Sequence, residues 1–190
     1  MGIRFEMDQR GKEKIPLEKP NPQDPVGRGK APKYFETIEM PVFDRFKPSR
    51  TTKFPSGYVF PASARNLAEL LVCQGAIVER LSDNTVGGGD HFEISEVQIA
   101  QQAFQGHRLI RLEGKFRPAK ANFEKGSFLV RTGQPTGLLI FHMMEPESLD
   151  GAIAWGLFGE NLKVGDNAPV VKVYEPMVLP TAVFNPKLWD

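Results

Sequence analysis

GYVFPASARNLAELLVCQGAIVERL, residues 57–81, decides the fold class. GYVF is a short β-rich run. In PASARNLAELLVCQG, Leu67, Leu70 and Leu71 recur at helical spacing, Ser63 stands where a helix cap belongs, and Gly75 is placed to end the helix. AIVERL then resumes as a strand, which completes a β-α-β unit. Working outward, GSFLVRTGQPTGLLIFHMMEPES (126–148) repeats the pattern: a strand over 127–131, a turn, and an apolar helix over about 135–144. Pro135 suits a first-turn position and Pro146 helps to end the helix. Residues 57–71 and 126–140 match glycine for glycine at their starts, as an internal duplication would.

Between the two units, the glycines at 87–89 predict a loop or hairpin connection that turns the chain sharply. HFEISEVQIA (91–100) alternates as Phe92 and Ile94, then Val97 and Ile99, so its phase slips near Ser95 and Glu96, as at a β-bulge. RLIRLEGKFR (108–117) places Ile110, Leu112 and Phe116 on one face and Arg111, Glu113, Lys115 and Arg117 on the other: one buried face and one wet face. AIAWGLF, a Gly/Asn/Asp loop, the candidate strand VVKVY and a proline-punctuated tail close the chain.

Toward the N-terminus the pattern is lost. Residues 1–50 hold seven of the 16 prolines, and each lacks an N–H and fixes its own φ, so helix or central strand is disfavoured there. They form an extended, proline-rich arm or linker. It carries 11 basic and 8 acidic residues, a charge of +3, while residues 51–190 carry 13 and 15, a charge of −2. YFETIEMPVFDRF (34–46) is too aromatic for a pure linker and is expected to pack. The fold class is therefore α/β or α+β: a single domain over 51–190 with a mixed β-sheet and two main helices, preceded by the arm.

The 190 residues suffice for one core. A net charge of +1 argues against a protein that holds nucleic acid or an anionic membrane by bulk charge, so neither is expected as a partner. A single cysteine excludes an internal disulfide and any multi-cysteine metal site. Charges at Arg4, Glu6, Asp8 and Arg10 leave no apolar stretch for a signal peptide, and no run approaches membrane-spanning length.

His142-Met143-Met144-Glu145 is an H-x-x-E, and residues three apart on a helix share a face, so the pair could reach one zinc ion. A catalytic zinc needs a third ligand; His91 and His107, the other two histidines, sit in β-rich segments outside any ligand pattern. Cys73, near a helix C-terminus where the dipole disfavours a thiolate, reads as a half-buried packing residue. Trp155 with Phe158, and Tyr34, Phe35, Phe43 and Phe46, are candidates for a peptide- or glycan-binding surface or for the core.

PVFDRFKPSRTTKFPSGYVFPASARNLAELLVCQGAIVERL, then FQGHRL, then GSFLVRTGQPTGLLIFHMMEPESLDGAIAWGLF resemble, in order and over roughly residues 34–176, the region that follows the catalytic domain of large bacterial zinc carboxypeptidases of the carboxypeptidase A-like class. Gln134-Pro135 and the run Glu145-Pro146-Glu147-Ser148, Asp150-Gly151 and Trp155 carry most of the resemblance. In that family the preceding catalytic domain, larger than this whole chain, supplies an H-x-x-E zinc pair, a distant third histidine, a substrate-binding arginine and a catalytic glutamate. Here His142 to Glu145 falls on the later helix and no histidine follows it. The resemblance therefore carries over no catalytic, metal or cofactor-binding residue and implies no cofactor. It implies a non-catalytic accessory domain whose partner is a peptidase domain, in cis or in trans, in a family whose members are typically secreted or periplasmic. The alternatives are a small metal-dependent hydrolase using His142 and Glu145 with His91 or His107, and a stand-alone peptide- or glycan-binding module.

Overall fold

Two 18-residue strands, β1 (Gly2–Lys19) and β2 (Tyr34–Thr51), pair as a two-stranded sheet in the segment expected to be an extended, proline-rich arm or linker. The prolines are tolerated because both strands are edges, where a missing N–H costs no internal ladder bond. The computed structural model describes residues 1–20, 34–159, 161–175 and 178–186, so Pro22, Pro25 and Pro32 of the expected arm lie outside the described residues. The chain divides into two units, Phe5–Ser49 and Met1–Arg4 with Arg50–Asp190.

Within the ribbon unit, β1 alternates toward both ends, with Gln9, Gly11 and Glu13 interrupting the apolar positions between them. Phe5, Met7, Ile15 and Leu17 point one way, while Glu6, Asp8, Arg10, Lys12 and Lys14 point the other. Lys47 pairs with Glu6 and Asp8, and Arg10 with Asp44. Tyr34, Phe35, Phe43 and Phe46 are each about half exposed or more, Phe46 at 69%.

The second unit is built on a seven-stranded sheet, with β3 (Gly57–Phe60), β4 (Val78–Leu81), β5 (Thr85–Ile99), β6 (Ile110–Phe123), β7 (Phe128–Arg131), β8 (Asn167–Val173) and β9 (Thr181–Val183) in the order β6-β5-β8-β3-β7-β4-β9. It joins two helices, α1 (Arg65–Cys73) and α2 (Gly137–Met144), in an α+β domain. All neighbouring strands pair antiparallel. β3 and β4 both run against β7, so they are parallel to each other across it; β7 and β8 are parallel in the same way across β3. Each strand-helix-strand unit therefore skips one position, and the two units interlock as split β-α-β motifs.

The duplicated pattern has this structural counterpart, but its register differs from the glycine-for-glycine match. Tyr58 and Phe60 share the helix-side core with Phe128 and Val130, whereas Val59 and Leu129 belong to the cluster with Leu81 and Val173. Inward positions of the two units thus match only at an even separation, not at the 69 of the glycine alignment, because inward and outward positions cannot exchange in a strand of period two.

α1 buries Leu67, Ala68 and Leu71. It ends as expected at Gly75, whose φ of 84° suits glycine. Gly75 N–H bonds to the Val72 carbonyl and Ala76 N–H to that of Leu71, a Schellman closure. Ser63 makes no cap hydrogen bond; it lies in a 3-10 turn (Ala62–Ala64) ahead of the helix. Pro135 likewise precedes its helix, inside a turn closed by Gly137 N–H to the Gln134 carbonyl. Pro146 holds Glu145 extended, as the residue before a proline should be, and so ends α2.

Gly87, Gly88 and Gly89 correct the predicted turn: all three are paired in β5, against Ala121, Lys120 and Ala119 of β6. Gly89 is there for space, since a Cβ would meet Val171 Cγ1 at 2.5 Å and the Lys172 carbonyl oxygen at 2.8 Å. The expected bulge is present, as a register shift between Ile94 and Glu96.

Candidate functional site

The polar residues of the 134–155 run fold inward. Gln134 joins the two helix connections: its Nε2 donates to the Arg131 carbonyl at 2.7 Å and to that of Ile77 at 3.2 Å, while its Oε1 accepts from Ile77 N–H at 2.7 Å. A side chain saturated by backbone in this way locks one strand-helix corner onto the other.

Glu145 follows α2 and is 1% exposed. Its Oε1 accepts from the Tyr58 hydroxyl at 2.6 Å and lies 2.7 Å from Lys172 Nζ. Lys172 has no exposed surface; its Nζ also donates to Thr52 Oγ1 at 2.7 Å and sits 3.7 Å from the centre of the Phe116 ring. Burial pushes the Glu145 carboxyl up, against the pull of Lys172 and Tyr58, and pushes the Lys172 ammonium down, against the pull of Glu145. Burial, with the adjacent carboxylate, also drives the Tyr58 hydroxyl far above its ordinary range. Glu145 Oε2 is buried without a hydrogen-bond partner among the described residues.

Two residues further on, Glu147 is 4% exposed and receives a two-pronged contact from Arg50, Nε to Oε2 at 2.8 Å and Nη2 to Oε1 at 2.6 Å. Arg4 Nε donates to the Glu147 carbonyl at 2.8 Å and Nη2 to that of Leu112 at 2.7 Å, and its Nη1 pairs with Glu113. Burial raises the Glu113 carboxyl, but the bond and charge of Arg4, with Arg111 and Arg50, more than offset this and hold it below its ordinary value. Asp150 Oδ1 accepts from Trp155 Nε1 at 2.5 Å. Gly151 packs so closely that a Cβ would stand 3.0 Å from the His142 carbonyl oxygen.

The residues singled out as candidate zinc ligands do not converge. Glu145 is bonded to Lys172 and Tyr58, and half-buried His142 rests edge-on against Phe141, 5.2 Å between ring centres. His91 is paired inside β5 with Arg117 and Val171, and His107 lies in the β5–β6 loop beside Trp155 at 5.7 Å. Among the described residues no three of His, Cys, Asp and Glu group as metal ligands would. Cys73 is exposed, not half-buried, on the outer side of the last turn of α1. Trp155 and Phe158 part company: Phe158 turns to Phe60 in the core, 6.3 Å between centres, and Trp155 turns to Phe104 and His107.

Lys172 and Tyr58 were missed by the sequence reading, yet Lys172 leaves a trace. Ala168, Val170 and Lys172 occupy alternate positions of β8, all facing inward, and a lysine on the apolar side of a strand demands a buried acid.

Chain comparisons point to carboxypeptidases. "Carboxypeptidase 2" of Trichophyton rubrum is 25% identical over 127 residues, 67% of this chain and 23% of that protein. The Trichophyton tonsurans and Trichophyton equinum proteins of the same name are 25% and 24% identical over 123 residues, 65% of this chain and 22% of each. The chain thus contains a carboxypeptidase-related region and spans less than a quarter of the relatives it matches. No family profile and no solved structure matches it.

Proposed function

We propose that this chain is a non-catalytic accessory region of a carboxypeptidase, which packs on or assists a peptidase domain joined to it in cis or supplied in trans. The observation that carries the proposal is where the signature polar groups are spent. Gln134, Glu145, Glu147 and Asp150 each bond to groups of the chain itself, so the run that most resembles a carboxypeptidase acts as a structural clasp. The matched relatives are more than four times the length of the matched segment, which leaves ample chain in them for a separate catalytic domain. In this proposal the apolar side of the ribbon, with Phe5, Met7 and Phe46 exposed by 49, 62 and 69%, is the face offered to that domain.

Size-exclusion chromatography of this chain with the zinc peptidase domain from the same source tests the proposal. A stoichiometric complex is expected. Separate elution at micromolar concentration, with the peptidase domain no less stable or active alone, would contradict it.

A further inference from the structure

We propose that a cavity of about 430 Å³ beside Trp155 binds the lysine or arginine side chain of a peptide. It opens where the outer sides of α1 and α2 meet the turn after α2, and its size is that of a small-ligand site. The inference does not depend on the accessory role.

The walls come from the two helices and the turn. Leu70, Leu139, Met143 and Leu157 give an apolar lining, and Leu70 and Leu139 are each 37% exposed, more than helix packing alone would leave to water. These groups suit a methylene stem. Trp155 and Asp150 then decide what the stem carries. The indole N–H is taken by Asp150, so Trp155 has only its ring left to offer, and an aromatic ring face attracts cations. An N–H donor carries no net charge, so the indole contact offsets none of the charge of the Asp150 carboxylate. Among the described residues lining the cavity there is no lysine or arginine beside it; the other titratable side chain there is His107, whose ring stands edge-on to Trp155 at 5.7 Å. Apolar walls, the rings of Trp155 and His107 and one carboxylate are complementary to an ammonium or guanidinium on an aliphatic stem when His107 is neutral. An anionic side chain would be repelled, and a neutral one would leave the carboxylate unanswered.

The test is a titration of the full ¹⁵N-labelled chain with Ac-Gly-Arg-Gly-NH₂ and with its neutral isostere, in which citrulline replaces arginine, following the Trp155 indole N–H resonance. The arginine peptide should bind saturably and at least about tenfold more tightly than the citrulline peptide, the factor expected of one charge pair at a partly exposed site. Asp150→Asn keeps an oxygen acceptor for Trp155 and should bring that ratio close to one. Leu139→Lys, at an exposed position, should abolish binding of the arginine peptide, and Leu139→Glu should preserve or tighten it. Equal affinity for the two peptides, a preference undiminished in Asp150→Asn, or no saturable shift with either peptide would overturn the proposal.

Discussion

A lysine with no exposed surface costs several kcal/mol of desolvation, and Lys172 is retained only because Glu145, Thr52 and the Phe116 ring surround its ammonium. Removing one partner should therefore be far worse than removing both. Lys172→Met leaves a buried carboxylate and is expected to lower unfolding free energy by about 3–5 kcal/mol, measured by urea titration. Lys172→Met with Glu145→Leu should recover most of that loss, less about 1–2 kcal/mol for the stranded Tyr58 hydroxyl. If the double variant is as unstable as the single one, the pair contributes more than mutual neutralisation. Glu113 gives the opposite kind of signature. Its folded pKa lies below its ordinary 4.5, so in acid the unfolded chain binds the proton first. Stability from Glu113 is full above that value and is lost as pH falls through the folded pKa. Glu113→Gln should be less stable at neutral pH and show a flatter acid limb, read from urea midpoints between about pH 3 and 6. Neither site was legible as function in the sequence. Lys172 reads as one more charge in a strand until its parity is compared with Ala168 and Val170. The H-x-x-E spelling of His142 and Glu145 suggests a zinc pair, whereas in the fold Glu145 Oε1 is bonded to Lys172 and Tyr58.

At the scale of elements, periodicity was legible wherever one face is buried. α1, β6 and the bulge in β5 follow directly from the spacing of apolar residues, and Gly75 from its place after the last helical turn. The triple glycine was not legible, because flexibility and lack of a side chain are the same property in sequence. Here the lack of a side chain is what counts: β5 and β8 approach so closely at Gly89 that a methyl group would overlap Val171, while a Cβ at Gly88 meets nothing within 4 Å. Gly89→Ala is expected to lose about 1–3 kcal/mol by forcing β8 aside. Gly88→Ala, whose backbone is outside the left-handed region, should be neutral or stabilising by about 0.4–1 kcal/mol through the unfolded chain. Thermal melts of the two variants measure the difference, and equal losses would mean that glycine is kept here for bending.

At the scale of the whole molecule, the N-terminal segment is extended, as its prolines imply, but its pairing into a ribbon was not legible in the sequence. Proline count argues against a central strand, and the segment instead forms a ribbon with only edge strands. An isolated two-stranded ribbon is marginal in water, and one with an exposed apolar face has reason to be covered. Phe5→Ser with Met7→Ser and Phe46→Ser should leave the main thermal transition of the chain in place while weakening the proposed complex with a peptidase domain at least about tenfold. Unchanged association would place the interface elsewhere. The central claim, that the carboxypeptidase-like run holds the fold and performs no hydrolysis, is tested most directly by assaying release of C-terminal amino acids from peptides by the purified chain with one equivalent of zinc. The account predicts release no faster than in zinc-containing buffer, for the wild type and for His142→Ala alike. Zinc-dependent release by the wild type that is lost in His142→Ala would contradict it.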